Sequence, residues 1–147
     1  MMNNIIVFND LPLFYKNVAK FNDKLKNIFS KLQNITRATF ISFEEAKNWF
    51  GNLDLDCNNI CLGTRPKMLI KNHFLNVITV REKQSNGIDK SVEILNKSKK
   101  DLKAFLKDKS NVSIIEDAIV EGKTMNEMLN FILGINKNIS IKIYSAA

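Results

Sequence analysis

Asn111-Val112-Ser113-Ile114-Ile115-Glu116-Asp117-Ala118-Ile119-Val120-Glu121-Gly122-Lys123-Thr124 is the stretch that decides the fold of this 147-residue chain. An apolar run ends in two acids, a turn with one glycine follows, and Met125, Met128, Leu129 and Ile132 then recur at helical spacing. A short apolar run bounded by a turn predicts a buried strand, and steps of three and four predict an amphipathic helix. A strand that brings two carboxylates to its carboxyl end, ahead of a glycine turn and a helix N-terminus, has the chemistry of a sugar-phosphate site. The carboxylates can accept hydrogen bonds from ribose hydroxyls, and the loop amides and helix dipole favour an anion.

Upstream, Asn59-Ile60-Cys61-Leu62 reads as a second buried strand running into Gly63-Thr64-Arg65-Pro66-Lys67, a loop punctuated by Gly and Pro and carrying two cations. Arg65 and Lys67 suit a diphosphate, Arg by bidentate hydrogen bonds and Lys as a point charge; the plainer alternative is a basic surface turn. A short helix is expected over residues 67–74, with His73 at its end as a cap or packed edge, then a strand over residues 75–80. Arg81-Glu82-Lys83 and the polar Gln84-Ser85-Asn86-Gly87 come next. Ile88, Val92, Leu95, Leu102, Phe105 and Leu106 then supply the apolar side of a lysine-rich segment that reads as helical, with Lys99 interrupting the stripe.

Ile5-Ile6-Val7-Phe8 fits a short strand or a packed arm. Phe14, Val18, Phe21, Leu25, Ile28 and Leu32 recur as one helix face, which reads as core packing. Residues 36–41 are rich in strand formers, and Ser42 with Glu45 predicts a capping box opening a short helix that Gly51 stops. Leu53-Asp54-Leu55-Asp56 reads as a turn, and Ile139-Ser140-Ile141-Lys142-Ile143-Tyr144 as a last strand after a turn at Lys137-Asn138. Strands alternating with helices predict an α/β fold, a three-layer sandwich around a mostly parallel central sheet, in one domain over residues 1–147.

The hydrophobic share of 45% and charged share of 25% are those of a globular chain, and no apolar run approaches the ~18 residues of a membrane span. Cys57, Cys61 and His73 provide too few ligands for a zinc site. Reduced thiols and an N-terminus without basic residues or a long apolar core make the cytoplasm the expected location. A net charge of +7 suits an anionic ligand, but the lysines are interspersed with acids and lack the interleaved aromatics that stack bases, which argues against nucleic acid. Gly122-Lys123-Thr124 is not a P-loop, because that motif needs a glycine where Asp117 stands.

Ile114-Ile115-Glu116-Asp117 and Gly122-Lys123-Thr124 resemble, in type and spacing, the phosphoribosyl-pyrophosphate (PRPP) signature of type I phosphoribosyltransferases, closest to its purine salvage form. The resemblance implies that Glu116 and Asp117 hold the ribose 2′ and 3′ hydroxyls. It implies that Ala118, Ile119, Val120, Glu121, Gly122, Lys123 and Thr124 cradle the 5′-phosphate. The loop with Thr64, Arg65 and Lys67 resembles the pyrophosphate loop, and Arg81 or Lys83 would support the leaving group. Mg²⁺ would be held mainly by the diphosphate. Dimers are common in that family, and by analogy a homodimer is expected.

The chain departs from the family at Val120, where purine salvage enzymes carry Asp, at Pro66, and at Glu121, where a small residue faces the phosphate. Two unit charges about 4 Å apart interact by roughly 4 kcal/mol at an effective dielectric near 20, so Glu121 opposes a phosphate unless it turns outward or pairs with Lys123. Little chain remains after the last strand for a base-selecting hood. Two functions follow: transfer of phosphoribose to a nucleobase or related acceptor, or a non-catalytic ligand-sensing or assembly subunit that kept the fold.

Overall fold

Residues 111–116 are extended in the computed structural model, which describes residues 4–8, 23–24, 26–28, 30–31, 37–55, 58–87, 89–119 and 122–147. By contacts the chain divides into two compact units, Met1–Leu53 with Ala146–Ala147, and Asp54–Ser145.

In the first unit, β1 (Asn4–Phe8) pairs in parallel with β2 (Arg37–Ile41). Helix α1 (Phe43–Gly51) follows, and Ser42 closes the expected capping box. Its hydroxyl accepts from Glu45 N–H at 3.1 Å and its own N–H donates to Glu45 Oε2 at 2.8 Å. Gly51 is the last residue of this helix, and Asn52 caps it. Of the apolar stripe expected at residues 14–32, Ile28 alone lies among the described residues. It is helical yet 56% exposed, which corrects its assignment to a buried face.

The second unit is built on a four-stranded parallel sheet. Its strands are β3 (Asn59–Leu62), β4 (Phe74–Val77), β7 (Asn111–Glu116) and β8 (Ser140–Ser145), in the order β4-β3-β7-β8. The largely apolar runs of β3 and β7 suit central strands covered on both faces, and both are almost wholly buried. Between β4 and β7 the chain makes an antiparallel hairpin, β5 (Thr79–Lys83) and β6 (Asp89–Ile94), and helix α2 (Asn96–Leu106). Helix α3 (Lys123–Ile135) joins β7 to β8.

Alternation along the strands sends Ile60, Leu62, Val112 and Ile114 to one face. There they form the core with Leu102 and Leu106 of α2, Met125, Met128 and Ile132 of α3, and Ile94 of β6. Asn59, Cys61, Ser113 and Ile115 occupy the other face, also buried. The α/β class with a mostly parallel central sheet is therefore present.

Three local expectations are corrected. The helix over residues 67–74 is only a 3-10 turn, Pro66–Met68, and β4 already starts at Phe74. The single strand over 75–80 is two strands, parted at Ile78. The segment read as one helix is strand through Ile94 and helix only from Asn96. Val92 and Ile94, two residues apart, both point inward, and the intervening Leu95 is extended at φ −58, ψ 139.

Candidate functional site

Strand order creates the site. The sheet leaves β3 in opposite directions, to β4 on one side and β7 on the other, so the connections diverge at the carboxyl ends of β3 and β7. In open parallel sheets ligands bind in the crevice outside the carboxyl ends of strands, where the order reverses. The two loops singled out from sequence leave the sheet at this point: residues 63–67 follow β3, and residues 117–122 follow β7.

Gly63 opens the first loop at φ +77, a left-handed conformation that glycine takes without strain, and its N–H donates to Val77 O at 2.7 Å. The chain thereby turns sharply off the sheet edge. Arg65 Nη1 lies 3.2 Å from Asp117 Oδ2, so the two loops are joined by an ion pair. The Asp117 side chain is 3% exposed and that of Arg65 37%. Thr64 and Lys67 are exposed on the same loop.

Glu116 ends β7 and is buried with Asp117. Glu116 Oε1 accepts from Asp117 N–H at 3.2 Å. Burial raises the Glu116 pKa to about 8, assisted by hydrogen bonding and charge from Asp117, while the Asp117 N–H and Arg65 oppose the rise. Cys61, on the adjacent strand, is pushed up to about 12, by burial first and then by Glu116, against a smaller pull from Lys67. The carboxyl edge thus favours a neutral Glu116 and a neutral thiol beside the paired Asp117.

Gly122, at φ +75, precedes α3 as its N-cap, and its carbonyl accepts from Asn126 N–H at 2.8 Å. Lys123 and Thr124 open the helix, whose first turn carries no acidic residue. Arg81 Nη2 donates to Thr124 Oγ1 at 3.1 Å, tying the β5–β6 hairpin to this turn. Lys83, further along β5, is exposed opposite Asp89. Ala118 is half-buried and Ile119 is 38% exposed. Val120 and Glu121 lie outside the described residues.

The structure therefore joins Arg65 with Asp117 and Arg81 with Thr124. Lys67 acts on the edge through its charge, Lys83 has no such contact to the edge among the described residues, and His73 lies at the opposite, amino edge, where its carbonyl accepts from Asn59 Nδ2 at 3.0 Å. Sequence reasoning missed Ser145. It ends β8 as the register partner of Glu116, and its hydroxyl donates to Asp117 O at 3.5 Å. Only the pairing of β8 with β7 could have pointed to it. Asn76 was missed too; it pairs in register with Cys61, and its buried Oδ1 has no hydrogen-bond partner among the described residues.

Among the described residues no three His, Cys, Asp or Glu side chains cluster to hold a metal ion, and no helix is long and apolar enough to cross a membrane. Comparison of the chain with protein families, curated proteins and solved structures finds no match.

Proposed function

We propose that this protein is a divergent phosphoribosyltransferase-like protein that binds PRPP or a related ribose phosphate at the carboxyl edge between β3 and β7, and transfers phosphoribose to a nucleobase or related acceptor. The observation that supports this most is the Arg65–Asp117 ion pair, which brings a cationic loop against a buried acidic pair at the reversal of strand order. The N-terminus of α3, led by Gly122 and Lys123, adds an anion-favouring dipole from the same side of the sheet.

In this reading Glu116 and Asp117 take the ribose hydroxyls, α3's first turn with Thr124 takes the 5′-phosphate, and Lys67 with Arg65 meets the diphosphate. A magnesium ion would be held mainly by the ligand's diphosphate, with Asp117 the carboxylate available to it, since Glu116 is held toward its neutral form. Bound there, Mg²⁺ would neutralise diphosphate charge.

The non-catalytic alternative draws on a specific observation: Asp117 is already held by Arg65, and Glu116 is held toward its neutral form. Calorimetry with PRPP and Mg²⁺ tests both. Tight wild-type binding that Asp117→Asn abolishes, followed by diphosphate release with an acceptor, is the expected result. Binding without turnover on any nucleobase selects the sensor. Failure of wild type to bind, with recovery in Glu121→Thr, overturns the transferase and leaves a degenerate site.

A further inference from the structure

Asp117 and Arg65 differ in freedom. The aspartate is fixed at the end of a central strand with its side chain 3% exposed, whereas the arginine stands on a loop with its side chain 37% exposed. That loop leaves the sheet at Gly63, whose φ of +77 lets the chain turn away from the strand axis. If the pair separates, Arg65 is the partner that moves. A guanidinium presents donors in a planar fork and binds phosphate oxygens bidentately, and a diphosphate offers it more negative charge than one carboxylate.

We infer that Arg65 is a specificity-determining residue which makes ribose recognition conditional on a diphosphate: the diphosphate draws the guanidinium off Asp117, and the freed carboxylate then accepts the ribose hydroxyls. This rests on the ribose-phosphate reading of the site. Asp117 cannot stay buried and unpaired at low cost, so the hydroxyl donors must arrive as the arginine leaves. A sugar monophosphate, whose single phosphate is taken by the first turn of α3, has no second anion with which to draw Arg65 away and must compete with it for Asp117. The site thereby discriminates an activated sugar diphosphate from a sugar monophosphate through an internal ion pair rather than through pocket size.

The test is calorimetric titration of the protein with ribose 5-phosphate, alone and in saturating Mg²⁺ and inorganic diphosphate. Two anions bound side by side repel, so charge alone predicts weaker binding in the presence of diphosphate. The exchange predicts the opposite, a tightening of about tenfold in wild type, within the usual range of coupling between sites. Arg65→Gln should bind ribose 5-phosphate alone more tightly than wild type does, and show no tightening with diphosphate. Independent or weaker binding in wild type overturns the inference even if the variant fails to fold, and so does tightening that survives in a folded Arg65→Gln. If both ligands bind, the ribose-phosphate reading stands whatever their coupling; if neither binds, that reading falls and takes this one with it.

Discussion

Ser98 Oγ accepts a hydrogen bond from Ile78 N–H at 3.0 Å, and Ile78 O accepts from Leu95 N–H at 2.9 Å. The first turn of α2 thus clamps the residue at which the chain leaves β4 and enters the hairpin. Ser98 is 4% exposed, so little water reaches the bond. Ser98→Ala should lower stability by about 1 kcal/mol, because it leaves a part-buried N–H without its acceptor. Urea denaturation measures the loss, and hydrogen exchange at Ile78 should speed up. Unchanged exchange there would show that the clamp holds nothing.

Glu116 makes stability depend on pH. In the folded chain its pKa is raised from 4.5 to about 8, chiefly by burial. The folded state therefore binds more protons than the unfolded one between those values, and stability falls as pH rises through the window. Denaturation midpoints taken near pH 5 and near pH 8.5 should show this fall, on the order of a few kcal/mol at most. Glu116→Gln should flatten the dependence. A wild type whose stability rises across the same window would contradict the assignment.

Cys61 should be chemically inert while the chain is folded. Its thiol is buried and its pKa pushed up to about 12, so at pH 8 only about one molecule in ten thousand carries the reactive thiolate. In a Cys57→Ser background, alkylation should be slow in buffer and fast in denaturant. Fast modification under native conditions would mean that the sheet edge opens readily.

Ser42→Ala removes the hydroxyl half of the capping box on α1 and should cost about 1 kcal/mol. Ser42→Asp should recover most of it, since Asp also caps. Loss of helical circular dichroism without recovery in Ser42→Asp would assign the effect to something other than the cap.

Leu102 and Ile114 are both 0% exposed in the core shared by α2 and the sheet. Truncating either to Ala should cost about 2–5 kcal/mol through lost burial and the remaining cavity. Thermal denaturation would register this as a large drop in melting temperature, and a near-neutral result at both positions would place the core elsewhere.

Much of this architecture can be read from residue order because it is local. β3 and β7 are short apolar runs, the Ser42 box spans one turn, and Met125, Met128 and Ile132 fall on one helix face. What stayed hidden depends on residues distant in sequence. Residues 77–80 are all β-branched strand formers, and the break at Ile78 is imposed by Leu95 and Ser98. Val92 fits a helical face with Leu95 as well as a strand face with Ile94, and only the pairing of Arg81 with Val92 decides between them. For the site, the acids and the glycine turn were legible, but not that Arg65 spends its charge on Asp117 or that Ser145 closes on the Asp117 carbonyl. Both contacts require the strand order, which no local pattern encodes.

That order also sets the timing of assembly. Asn59 faces Ser113 across the β3–β7 ladder, so joining the two halves of the sheet closes a loop that contains β4, the hairpin and α2. Pairings this far apart in sequence carry a large loop-closure entropy and slow folding. Each half, β3 with β4 and β7 with β8, can form earlier over a shorter span. The carboxyl edge shared by β3 and β7 is therefore a late product of folding, and a chain in which only the separate halves have formed holds Arg65 and Asp117 apart.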